Sequence, residues 1–61
     1  MAAQVTNVWY NPNAAAFEGR VDIRRGGTVF RYPCMVQGPA GMHRAAVDAQ
    51  MLDQARRMSD S

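Results

Sequence analysis

The sequence predicts an α+β domain, a three-stranded antiparallel β-meander followed by one C-terminal α-helix packed on one face. Three observations carry this. Two runs of period-two hydrophobicity meet at Gly26-Gly27, an apolar run before Asn11-Pro12 supplies a third strand, and apolar residues recur at helical spacing after Gly41. The 61 residues make a single small domain. A chain of that size buries only about 60% of the surface its unfolded form exposes, so a partner would add needed burial.

The first strand is expected over residues 4–10, QVTNVWY, and ends at the turn formers NPN. The second is expected over 17–25, with Phe17, Val21 and Ile23 on one side and Glu18, Arg20, Asp22 and Arg24 on the other. The third is expected over 28–36, where Phe30, Tyr32, Cys34 and Val36 alternate with Val29, Arg31, Pro33 and Met35. A two-residue Gly26-Gly27 turn sets Arg25 opposite Thr28, and counting outward pairs Ile23 with Phe30, Val21 with Tyr32, Gly19 with Cys34 and Phe17 with Val36. All four outward pairs share the apolar face. The opposite face brings Asp22 to Arg31, and a one-residue slip would break both patterns. Pro33 cannot donate to a ladder and places its strand at an edge or beside a bulge.

QGPAG at 37–41 stops the third strand, and a helix is expected over 42–58, leaving 59–61 as a frayed tail. Val47, Met51, Ala55 and Met58 form one apolar stripe of that helix, and Met42, Ala45, Ala49 and Leu52 form another. A sheet face covers one stripe. The second stripe, together with whichever of Trp9 and Tyr10 faces outward, is the candidate protein interface.

All seven basic residues are arginine, and the net charge is only +2. Arginine without lysine, in an alanine-rich chain, fits the codon bias of a GC-rich genome as well as a need for guanidinium forks. Arg20, Arg24, Arg25 and Arg31 surround the RRGG turn and are candidate phosphate contacts, which makes nucleic-acid binding the alternative function. Glu18 and Asp22 share their face and partly neutralise it, and the turn itself accounts for the glycines.

Catalysis finds little footing. Cys34 alternates with inward apolar residues, where cysteine packs as a small hydrophobe, and one cysteine with one histidine, His43, makes neither a dyad with an orienting group nor a closed zinc site. The acidic residues have no ligand-loop spacing, and QGPAGM lacks the phosphate-loop ending. No catalytic residue, cofactor or metal is expected. A lone cysteine and a start without a basic, apolar leader point to a cytoplasmic protein, and no apolar run approaches a membrane span. The expected function is a small non-enzymatic accessory or regulatory module of bacterial type that binds protein, as a homodimer or as a subunit of a larger assembly.

Overall fold

A computed structural model describes residues 2–60 of the chain. Strands β1 (Ala2–Asn11), β2 (Ala16–Arg25) and β3 (Thr28–Gln37) precede the single helix α1 (Arg44–Asp60). The strands form one open antiparallel sheet in the order β1-β2-β3, and α1 packs against one of its faces. This is the β-β-β-α arrangement that the hydrophobic periodicity predicts. The elements run somewhat longer than their sequence signals, and α1 starts two residues later than expected. Met42 therefore lies in the preceding turn, its N–H bonded to the Pro39 carbonyl at 3.0 Å.

The β2-β3 register matches the predicted pairs residue for residue, from Arg25 with Thr28 to Phe17 with Val36. Gly26 and Gly27 have φ angles of +54° and +85°, the conformation a tight primed turn requires and that a side chain would strain. The β1-β2 connection instead turns through four residues. Asn13 N–H donates to Asn11 Oδ1 at 3.0 Å, Ala14 N–H to the Asn11 carbonyl at 3.2 Å, and Ala15 carries a φ of +50°.

The strand pattern breaks once, inside β1. Thr6 pairs with Arg20 and Trp9 with Glu18, so Asn7 and Val8 together oppose Gly19. This is a β-bulge with Asn7 at φ +54°, a left-handed position that asparagine tolerates better than most residues. The extra residue reverses the alternation. Val5 faces the helix before the bulge, and Val8 and Tyr10 face it afterwards, all packed on the core. Gly19 makes room for this, because a Cβ there would lie 3.0 Å from Val8 Cγ2 and 3.2 Å from Met51 Sδ.

The core joins Phe17, Val21, Ile23, Cys34 and Val36 of the sheet to Val47, Met51 and Ala55 of the helix. Burial of these side chains is the main stabilising term, at about 1.5–3 kcal/mol for each large one. Phe30 corrects the sequence reading. It has the inward phase, but 44% of it is exposed, and Met58 is likewise exposed. The seventeen residues of α1 rise about 1.5 Å each and cover less length than a ten-residue strand at about 3.3 Å each, so the hairpin end is thinly covered.

Both outer strands present backbone edges, and β3 manages its edge explicitly. Met35 N–H donates to Gln54 Oε1 at 3.1 Å, and Gln54 Nε2 donates to the Met35 carbonyl. A helix side chain thus stands where another strand's peptide group would. Pro33, two residues earlier, has its nitrogen on the same free side, so its missing N–H removes no ladder bond.

Candidate protein interface

The face of the sheet away from α1 has no covering layer among the described residues, and the strand pairing arranges its side chains in rows. Trp9, Glu18 and Met35 form one row, and Thr6, Arg20 and Pro33 the next. Gln4, Asp22 and Arg31 follow, and then Ala2, Arg24 and Val29. Trp9 is 54% exposed and Met35 49% exposed, on either side of Glu18. A shallow depression of about 450 Å³ opens there over Gly19, bordered by Trp9, Arg20 and Pro33. A second of about 440 Å³ lies near Gln4, Asp22 and Arg24.

The bulge decides which aromatic is displayed. Tyr10 is turned to the helix side, where its ring meets Phe17 edge-on at 4.9 Å between centroids and its hydroxyl donates to the Gly38 carbonyl at 3.0 Å. Trp9 is the outward one. Of the other predicted contacts, Met42 and Leu52 are half-buried against the core, while Ala45 and Ala49 are exposed on a helix exterior crossed by the Arg44–Asp48 and Asp53–Arg57 ion pairs. The six residues Trp9, Tyr10, Met42, Ala45, Ala49 and Leu52 therefore do not gather into one surface. Met35 was missed by the interface reading, although its outward phase beside Pro33 was visible in the alternation.

The four arginines also separate. Arg25 reaches the other way, to Asp60 at 3.4 Å, and ties the hairpin to the end of α1. Arg31 Nε lies 3.4 Å from Asp22 Oδ1, an ion pair without hydrogen-bond alignment, which leaves that oxygen without a hydrogen-bond partner. Glu18 accepts a 2.8 Å bond from Asn11 Nδ2. Only Arg20 and Arg24 of the predicted phosphate contacts have no ion pair among the described residues.

Cys34 is buried, with its thiol directed at the Met51 carbonyl 3.5 Å away and the Tyr32 carbonyl 3.6 Å away. Desolvation raises its pKa, which keeps it a thiol. His43 is exposed, and its carbonyl accepts the N–H groups of Ala46 and Val47 at the start of α1. Among the described residues no group of three or more histidine, cysteine or acidic side chains is placed to hold a metal ion, and no helix is long and apolar enough to cross a membrane.

Compared with known proteins, the chain matches no family model, and no curated protein or solved structure is significantly similar to it.

Proposed function

We propose that this chain is a small non-enzymatic protein-binding module of the bacterial cytoplasm, working as a homo-oligomer or as a subunit of a larger assembly, with the open sheet face as its contact surface. The observation that carries this reading is the exposure of Trp9 and Met35 on either side of Glu18, on a face that no other described residue covers. Tryptophan, methionine and arginine are enriched at protein interfaces, and a central aromatic commonly supplies much of the binding energy.

The surface differs from the helix stripe that the sequence suggests. Ala45 and Ala49 offer little area, and Leu52 already packs on the core. Nucleic-acid binding draws less support, since two of its four arginines are held by Asp22 and Asp60.

The test is affinity capture from nuclease-treated lysate with three variants. Trp9→Ser and Met35→Ser should each release the bound protein, and Ala49→Asp on the exposed helix side should retain it. Release by Ala49→Asp alone moves the interface to the helix. Binding that vanishes with nuclease, or that falls steeply with salt and on Arg24→Ala, replaces the reading with a nucleic-acid one.

A further inference from the structure

The charges along the central strand of the open face are self-complementary, and the further charge on that face, Arg31, is paired with Asp22 of its own chain. Along the outward side of the central strand the order is Glu18, Arg20, Asp22, Arg24, acid and base in strict alternation. Turned end for end the same series reads Arg24, Asp22, Arg20, Glu18. Laid over the original, every position meets its opposite. We propose that the partner of this face is a second copy of the chain, stacked sheet on sheet about a two-fold axis that crosses the strands between the Arg20 and Asp22 rows. This rests on the protein-binding reading above and names the partner for the same surface.

The rest of the face obeys the same operation. The axis keeps each strand over its own counterpart with direction reversed, so Trp9 falls over Ala2 of the partner subunit and Met35 over Val29 of the partner subunit. A large side chain meets a small one at one border, and two apolar side chains meet at the other. Glu18 meets the partner's Arg24, and Arg20 meets the partner's Asp22. Sheets stacked face to face align within about 30°, which keeps the rows in step. Apolar borders supply the burial, and the charge series sets orientation, because ion pairs contribute more to specificity than to affinity. A standard interface takes roughly 800 Å² from each partner, about a fifth of the 4096 Å² this chain exposes.

Glu18 and Arg24 are six positions apart on one strand, roughly 20 Å, beyond the screening length of about 8 Å in physiological salt. Neither can compensate for the other within one chain. Glu18→Arg alone sets arginine against arginine across the axis, and Arg24→Glu alone sets carboxylate against carboxylate. A mixture of the two variants pairs opposite charges at both ends.

Sedimentation equilibrium of wild type, of each variant and of their equimolar mixture tests this, with thermal melts showing that the variants fold. A dimer is expected for wild type, association weakened at least about tenfold for each variant alone, and recovery as a one-to-one heterodimer on mixing. A wild type that stays monomeric to about 1 mM, a variant that dimerises like wild type, or a mixture that does not recover overturns the pairing. The broader reading fails separately, when Trp9→Ser leaves capture of a different protein unchanged.

Discussion

The carboxamide of Gln54 satisfies both backbone groups of Met35, accepting from its N–H and donating to its carbonyl. A helix residue thereby seals an edge strand near its C-terminal end. Gln54→Ala should lower stability by about 0.5–1.5 kcal/mol and accelerate amide exchange at Met35 more than at Val36, whose amide points into the sheet. Chemical denaturation with residue-resolved hydrogen exchange measures both. Equal acceleration at the two amides would mean that the contact has no local role.

Gly19 is the position where a single methyl group should matter most. An added Cβ would meet Val8 Cα at 3.3 Å as well as the Val8 and Met51 side chains, so relief requires the bulge itself to move. Gly19→Ala is expected to destabilise by about 1–3 kcal/mol. A melting temperature equal to that of wild type would show that the bulge yields freely.

Ala15 holds a positive φ without the freedom of glycine or the side-chain help of asparagine. Ala15→Gly removes roughly 1–2 kcal/mol of backbone strain but raises unfolded-chain entropy by about 0.4–1 kcal/mol. The expected net gain is about 0.5 kcal/mol, whereas Ala15→Val should destabilise. Urea titration of the pair reports the sign of each.

Cys34 links stability to alkaline pH. Its folded pKa is raised by desolvation, so its contribution is complete below the ordinary thiol value of about 8.5 and is lost as pH rises through the folded value. Stability should fall over that window in wild type and fall less in Cys34→Ala. Alkylation of the native protein by iodoacetamide should be slow at neutral pH and limited by opening of the core. Labelling at the rate of a free thiol would place the sulfur outside it.

The hairpin of β2 and β3 was legible because three signals coincide: glycines at the turn, one uninterrupted alternation on each side, and an opposite-charge pair at Asp22 and Arg31. Neither Trp9 nor Tyr10 could be assigned a face, because no residue type marks a bulge as plainly as Gly-Gly marks a turn, and Asn7 before Val8 reads as ordinary strand. The exposure of Phe30 escaped for another reason: alternation gives the side a residue faces but not how far the covering helix extends. For the interface, helical spacing identified apolar positions on α1 without showing that Leu52 is already drawn into the core. The open sheet face was present in the same alternation, as its outward half.

The bulge between Thr6 and Trp9 gives the first strand an unusual genetic property. Removing the Asn7 codon would leave Thr6 opposite Arg20, Val8 opposite Gly19 and Trp9 opposite Glu18, so strict alternation returns with tryptophan still outward and tyrosine still inward. In this fold, the first strand can thus gain or lose one residue at that point without changing which aromatic it displays.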